Sequence, residues 1–552
     1  MGELSTNSSL ASIYVHTQNV DAALAMSTYG IYLHAVFLSL TLGIPLAITA
    51  WLIQWRRTGD GDYLRYAKTL SVVLAINFSL GVVTGTLVEF GLLDIWPTSM
   101  VLFAAPGFLP LAFEATIAFI GEAALLTLYL ATLGKWSAYR SAAVLMANWA
   151  LGSLSGYFIL TVNAWMNVPW GAGTVPQALY PFLPSYGPQA LNETGALNLM
   201  AVLMHYAASS PSGSLAVTNV GFTSMVGRLF DDAWLPLMNP DALVTTLHTL
   251  LAAYAVGLGT VAAILAFKHA RSRDPKYMKL LKPILWILVV VLLVQPTLGG
   301  HLMGDAVVKY QPTKFTAMVA LTGGSGVYGT EFLDPIEALF AYGDPYHPIH
   351  GFQYYIDQCS ELGNTTFGEL YSTMDPRMLG YVAPIANTTL ADNCVDAVKS
   401  IESLAPLVSG FYYSMIVAGI VAGLASLLAL FTFLWRAPAI SRLSDAINYG
   451  VIGRVVGRDR VLPLLVLAMA IAADVASTAG WAAREVGRQP WTVYGMITTN
   501  EVVTPVTISP AFEAIVFLVF TAVAIGGGVA MIYAAKRPEL LDRLRRAVGG
   551  GQ

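Results

Sequence analysis

The sequence predicts an all-α polytopic membrane protein with nine transmembrane helices, the N-terminus outside and the C-terminus cytoplasmic. Three observations predict it. Only 11% of the 552 residues are charged and 56% are hydrophobic, whereas soluble domains carry roughly 25% charged residues. Nine stretches are apolar enough to cross a bilayer, which takes about 20 residues each. Finally, 22 of the 29 Lys and Arg residues fall in alternate loops.

The apolar stretches run approximately over 28–53, 66–92, 109–133, 142–166, 243–267, 281–300, 406–435, 461–481 and 510–535. The chain then divides into an extracytoplasmic segment 1–27, helices 1–4 within 28–166 and an extracytoplasmic loop 167–242. Helices 5–6 follow within 243–300, a second extracytoplasmic loop over 301–405, helices 7–9 within 406–535, and a cytoplasmic tail 536–552. Residues 1–27 lack the basic start, apolar run and small-residue cleavage site of a secretory signal peptide.

The basic loops hold Arg56, Arg57, Arg65 and Lys68; Lys135 and Arg140; Lys268, Arg271, Arg273, Lys276, Lys279 and Lys282. They continue with Arg436, Arg442, Arg454, Arg458 and Arg460, then Lys536, Arg537, Arg543, Arg545 and Arg546. The positive-inside rule places these in the cytoplasm. One missed span would scramble the alternation, so the charge bias also supports the count of nine.

The only two cysteines, Cys359 and Cys394, share the second outer loop. An oxidising compartment favours a disulfide over two free thiols. Sequons at Asn192, Asn364 and Asn387 also fall in the outer loops, where they permit glycosylation. The chain shows no internal repeat of the transporter kind, no P-loop, no dinucleotide fingerprint and no basic nucleic-acid patch.

Ionisable residues inside a membrane are costly and mark function by default. His34 lies in the first stretch, Glu89 ends the second, Glu114 and Glu122 lie in the third, His248 in the fifth and Asp474 in the eighth. Glu485 and Arg488 follow the eighth, and Met415 lies in the seventh. Taken singly, a lone histidine is often a satisfied core residue and a methionine is usually packing. Together, His34, His248, Met415, Glu114 and Glu485 all fall in the outer half of the membrane, and His, Met and Glu are residue types that bind haem iron or sit beside it. Glu114 and Glu122 are eight residues apart. On an uninterrupted α-helix that places them about 80° apart and roughly 12 Å along the axis. Carboxylates stepped in this way suit a proton relay, with Asn77, Ser153 and Thr161 as candidate polar neighbours.

Residues 480–491 read GWAAREVGRQPW. This string resembles the GWxxxExGRQPW signature of subunit I of the cytochrome bd-type quinol oxidases. LHAVFLSLTLG (33–43), INFSLGVVTGTLVEF (76–90), PLAFEATIAFIGE (110–122), NAWMNVP (163–169) and NPDALVTTLHT (239–249) resemble further segments of that family, in the same order. The resemblance covers essentially all nine spans. It implies that His248 and Met415 are the axial ligands of a low-spin haem b. It implies that His34 and Glu485 are axial ligands in a high-spin pair, one haem b and one haem d or a b-type substitute. Glu114 would lie at the oxygen-reducing haem, Glu122 on the cytoplasmic proton path, and Arg488 at haem propionates, where a fixed cationic fork suits carboxylates. Trp481 joins the cofactor-binding set. Gln311, Pro312 and Lys314 agree with the family's QPxK element, so Lys314 matches a quinol-site lysine. Two positions depart: Val319 stands where the family has glutamate, and Tyr413 where it has arginine.

The function so implied is oxidation of quinol on the outer side and reduction of oxygen to water with cytoplasmic protons, without pumping. Val319 and Tyr413 support a second reading, a haem-binding paralogue with altered or lost quinol oxidation. A haem–copper oxidase needs more intramembrane histidines than His34 and His248. An ion-coupled transporter would use Glu114, Glu122 and Asp474. The resemblance further implies a multi-span subunit II, sometimes a small single-span subunit, and a prokaryotic cell membrane.

Overall fold

The computed structural model describes residues 17–189, 234–320, 334–503, 508–537, 539–541 and 543. Asn192 lies outside them, as do most of segment 1–27 and most of the tail 536–552. Among the described residues, nine helices are long and apolar enough to cross a membrane. The first four crossings are α1 (Thr17–Thr58), α2 (Gly61–Ile95), the pair α3 (Pro97–Phe113) and α4 (Ile120–Thr132), and α5 (Ala138–Asn167). A π turn at Glu114–Phe119 joins α3 to α4. The fifth is α6 (Pro240–Ser272). The sixth is α7 (Pro275–Val294), continued through a π turn at Gln295–Gly300 into α8 (His301–Tyr310).

Short helices α9 (Pro312–Val319), α10 (Asp334–Tyr342), α11 (Phe352–Ser360) and α12 (Phe367–Met374) follow. The last crossings are α13 (Leu390–Ala429), α14 (Val461–Val486) and α15 (Pro510–Ala535). Local signals set several starts. Asn239 caps α6, Asp274 caps α7, Thr389 caps α13 and Ser509 caps α15, each side chain accepting a backbone N–H of the first turn.

Several helices outrun the apolar stretches expected for them. Helix α1 begins at Thr17 rather than 28, and α13 at Leu390 rather than 406. The sixth crossing continues to Tyr310 rather than stopping at 300. Hydropathy reports only the part of a helix that is apolar; the polar overhangs obey caps and packing instead. The start of α13 carries Cys394, which is bonded to Cys359 of α11 with Cα atoms 5.4 Å apart. That bond ties the second loop to the membrane bundle. Asn364 and Asn387 are both exposed on this same loop face.

Helix α6 is the centre of the bundle, packing on α1, α5, α7 and α14, while α13 packs on α14. Helix α15 lies at the edge, against α2 and α1, and presents Ile515, Leu518 and Ile525 outward. Exposed apolar faces of this kind suit contact with lipid. Buried residues form one large cluster within the spans, around Trp51, Leu258 and Leu285, and another at the long-loop end, around Trp165, Trp491, Tyr494 and Phe352. At the other end, Lys279 Nζ donates to Asp60 at 2.5 Å and Asp62 at 2.9 Å, fixing the turn between α1 and α2.

Helices α1 and α6 touch backbone to backbone. A Cβ added at Gly257 would lie 2.3 Å from the Ser39 carbonyl oxygen and 2.7 Å from Gly43 Cα. Small residues at such crossings let membrane helices approach closely. Gly257→Val is expected to destabilise the protein by about 1–3 kcal/mol or more through overpacking. Gly423→Ala, where an added Cβ meets nothing within 4 Å, is expected to be neutral. Thermal unfolding of both variants in detergent checks the pair.

Candidate functional site

The site grows from the ends of four helices. Asn163 and Asn167 stand one turn apart at the end of α5 and so share a face. Asp241 lies in the first turn of α6, Arg484 and Glu485 in the last turn of α14, and Lys314 in α9. Arg484 donates to Asp241 at 2.8 Å and to Asn163 Oδ1 at 2.9 Å. Asn163 in turn donates to Glu485 Oε1 at 3.0 Å, and Arg488 donates to Glu485 Oε2 at 2.6 Å. Lys314 Nζ donates to Asn167 Oδ1 at 2.5 Å. The turn after α14 is held by its own small hairpin, β1 (Trp491–Val493) against β2 (Ile497–Thr498), with a cis Gln489–Pro490 bond before it. Tyr494 bonds backward to Met166 O at 2.9 Å and its hydroxyl pairs with Thr313. The hairpin therefore joins α14, α5 and α9.

Three basic side chains meet two carboxylates here, an excess of one positive charge if all are ionised. Lys314 is only 1% exposed. Burial, then the adjacent Arg484 and Arg488, holds its ammonium well below the usual lysine range. Arg488 is buried, yet its Nε and Nη1 have no hydrogen-bond partner among the described residues, and neither has the Gln311 amide. Buried donors without partners are rare and expensive. Glu485 differs from its neighbours in keeping a 37% exposed side chain. Orphaned guanidinium donors and a half-open carboxylate fit an anionic prosthetic group such as haem with its propionates. No haem is needed to explain the fold of the turn itself.

Two of the iron-binding residue types, His248 and Met415, lie against the helices of this knot, whereas His34 meets α2. His248 on α6 receives a contact from Gln295 Nε2 at 3.3 Å, from the π turn of the sixth crossing. Met415 on α13 packs its sulfur against Gly480 of α14, where an added Cβ would lie 2.9 Å from Sδ. Glycine at 480 is therefore what leaves room for that thioether. His34 on α1 faces α2, with Nδ1 3.1 Å from Thr84 Oγ1. His34, His248, Met415 and Glu114 are each half-buried, which leaves surface for a ligand.

Glu114 and Glu122 both meet α5. Ser155 donates to Glu114 Oε1 at 2.9 Å, and Asn148 donates to the Glu122 carbonyl at 2.8 Å. The Glu122 carboxylate lies against Gly152, where an added Cβ would be 2.7 Å from Oε1. The expected 80° offset assumed an unbroken α-helix, but the π turn at Glu114–Phe119 intervenes. A π turn accommodates one extra residue. Seven α-helical steps then remain, which brings the two carboxylates within about 20° of one another and roughly 10 Å apart along the axis. The expected neighbours are also corrected. Asn77 donates instead to Phe37 O and Thr41, Ser153 pairs with Tyr254, and Thr161 bonds Tyr157 O.

Of the remaining candidates, Trp481 is half-buried beside Gly480, while Glu89 and Asp474 are exposed and stand apart from the knot. Sequence reasoning missed Arg484, Asn163, Asn167, Asp241 and Gln295. The first four lie inside segments already singled out, GWAAREVGRQPW, NAWMNVP and NPDALVTTLHT; no spacing rule says that they meet.

Comparison with known proteins bears on the family and the fold. The family described as cytochrome bd terminal oxidase subunit I matches residues 23–538. A Bacillus subtilis (strain 168) chain named, provisionally, cytochrome bd menaquinol oxidase subunit I is 23% identical over 524 residues, covering 93% of this chain and 95% of that one. Another from the same strain, cytochrome bd ubiquinol oxidase subunit 1, is 23% identical over 486 residues, covering 86% and 83%. The solved structure of the bd oxidase from Geobacillus thermodenitrificans is similar with a TM-score of 0.62 and 19% identity, covering 94% of this chain and 98% of that one. That last likeness establishes the fold.

The buried ion pair makes a direct prediction. Arg484→Ala leaves the fully buried Asp241 without its cation and is expected to destabilise by about 3–5 kcal/mol. Replacing both, with Arg484→Met and Asp241→Leu, is expected to cost clearly less. Unfolding of the detergent-solubilised variants measures both values.

Proposed function

Because this chain belongs to the family of cytochrome bd terminal oxidase subunit I, we propose that it is the haem-bearing subunit of a complex that oxidises quinol and reduces oxygen to water. It is a multi-pass protein of the bacterial cell membrane, and its family pairs with a second subunit. The observation that carries the proposal is the buried Arg488, two of whose three guanidinium nitrogens lack a partner among the described residues while it grips the half-open Glu485. A soluble-type core would not tolerate that arrangement. A carboxylate-bearing macrocycle completes it.

Haem, when bound, supplies the one-electron transfers and the oxygen chemistry. His248 and Met415 would hold a low-spin haem b. His34 and Glu485 would hold a high-spin haem b and a haem d or b-type substitute, with Glu114 beside the oxygen-reducing one. Arg488 and Trp481 would seat the macrocycles. Gln295 steadies the His248 ring from its Nδ1 side, its amide nitrogen lying 3.3 Å away. Gly480 sets the position of the Met415 sulfur. Lys314, weakly basic through burial and fixed by Asn167, presents a donor that can bind a quinol oxygen or exchange a proton.

Glu122, stacked below Glu114 on the face that meets α5, would pass protons from the cytoplasmic side. The cytoplasmic side is taken as that of the 22 basic loop residues, which puts the N-terminus outside and the quinol loop, about 301–405, on the outer face. Protons released by quinol outside and consumed from inside generate a gradient without pumping. Family membership leaves the transporter reading without support. The paralogue reading keeps Val319 and Tyr413 in its favour.

The test is a reduced-minus-oxidised absorption spectrum of the purified complex, followed by oxygen uptake on adding quinol. Haem b bands with uptake support an oxidase; bands without uptake support the paralogue; absence of haem sinks both. His248→Ala or Met415→Leu is expected to remove the low-spin signal. Glu122→Gln is expected to slow turnover by roughly 10²-fold or more while haem content stays at the wild-type level. Wild-type turnover would take Glu122 off the proton path.

A further inference from the structure

The two departures from the family pattern lie near one buried acid, which the second of them touches. Val319 is fully buried, in an apolar cluster with Val307, Phe315 and Ala341, bordered by Tyr342 and Tyr412. None of these can take a proton as a carboxylate would. One turn before Ala341, on the same face of α10, stands Glu337. It is only 7% exposed. Tyr413 donates to its Oε1 and Tyr412 to its Oε2, each at 3.0 Å. Position 413, the site of the second departure, thus supplies one of the two hydroxyls that fix this acid.

The environment makes Glu337 a base rather than a structural anion. It forms no ion pair among the described residues. Burial, and secondarily the nearby Asp334, raises its carboxyl above the usual range, against the opposing effect of the tyrosine hydroxyls. Ile336 and Leu339, on either side in sequence, are 51% and 48% exposed, and Tyr342 stacks on His347 with centroids 3.7 Å apart. The exposed residues flanking the acid in α10 are therefore apolar, as a quinol ring requires. Tyr412 and Met415 are three residues apart on α13 and share a face, with Met415 about 5 Å further along the axis.

We propose that Glu337, held by Tyr412 and Tyr413, is the quinol-binding carboxylate of this chain, doing at a new position the work of the acid missing at 319. This rests on the quinol oxidase function proposed above. Oxidation of one quinol to quinone releases two protons and two electrons. One ring hydroxyl gives its proton to a Glu337 oxygen, the second proton goes to solvent on the loop side, and the two electrons go singly to the haem of the complex. Glu337 then returns its proton to the same side.

The experiment compares wild-type, Glu337→Gln and Glu337→Asp complexes with a soluble quinol analogue. Uptake driven by ascorbate and a phenylenediamine mediator serves as the quinol-independent reference. Glu337→Gln is expected to lower kcat for quinol at least tenfold relative to the reference, with KM within threefold and the haem spectrum intact. Glu337→Asp is expected to recover most of the loss. A Glu337→Gln complex with wild-type quinol kcat overturns the proposal. Should that variant lose its haem, Tyr412→Phe with Tyr413→Phe decides: a fall in quinol kcat with intact bands supports the proposal, and no change overturns it. A wild-type complex that takes electrons from the mediator but from no quinol overturns the quinol oxidase function, and the role of Glu337 with it.

Discussion

The ion pair between Arg484 and Asp241 is the constraint on which the rest of the site depends. Charges buried in a membrane protein carry a large desolvation cost, offset only when geometry and hydrogen bonds are complete. Here the pair fixes the last turn of α14 against the first turn of α6, and Asn163 extends it to α5. Once those three helix ends are locked, Glu485 and His248 are placed, because each sits within two turns of a locked residue. Met415 is placed one step further out, through Gly480. The same network stops at Arg488, whose remaining donors have nothing to bond among the described residues. A network this complete on one side and open on the other is organised around something beyond itself.

The π turns of the third and sixth spans carry the second constraint. Each lies in a span with a functional residue at or beside it, Glu114 in one and Gln295 in the other. A π turn rotates everything after it relative to everything before it. In the third span this turns two carboxylates that would diverge into a stack on α5. In the sixth the α-helix carries Gln295, whose N–H still bonds Val291 O, to His248, and the π turn redirects the residues that follow.

Nine spans, their order and the alternation of the basic loops were legible because apolar runs and charge bias are local properties of a chain. The GRQPW string was legible because it is long. The polar knot was not. Asp241 and Arg484 are 243 residues apart, and neither differs in sequence from an ordinary helix-terminal charge. Asn163 and Asn167 read as polar residues at a span end, which is common at membrane interfaces. The neighbours guessed for the glutamates were chosen by depth alone, and depth does not say which face of a helix a residue occupies. The overhanging starts of α1 and α13 were missed for a related reason: hydropathy sees the slab, and helices do not end where it does.

Val319 and Tyr413, read alone, argue that a quinol site has decayed. Their surroundings argue otherwise. A decayed site would leave its pocket free to fill with apolar side chains, and around Val319 that has happened. At Tyr413 the lost cation is replaced by a hydroxyl aimed at a buried acid, and the adjacent Tyr412 supplies a second. A carboxylate that is nearly inaccessible, unpaired with any cation among the described residues and pinned by two neutral donors costs stability to maintain. Such costs persist where a function requires them. An arginine at 413 would have lowered the proton affinity of Glu337 through a full charge, whereas tyrosine holds the acid in place with a neutral hydroxyl, and burial still raises that affinity. The exchange of arginine for tyrosine is thus coherent with moving the proton acceptor from α9 to α10, and the two departures are one change.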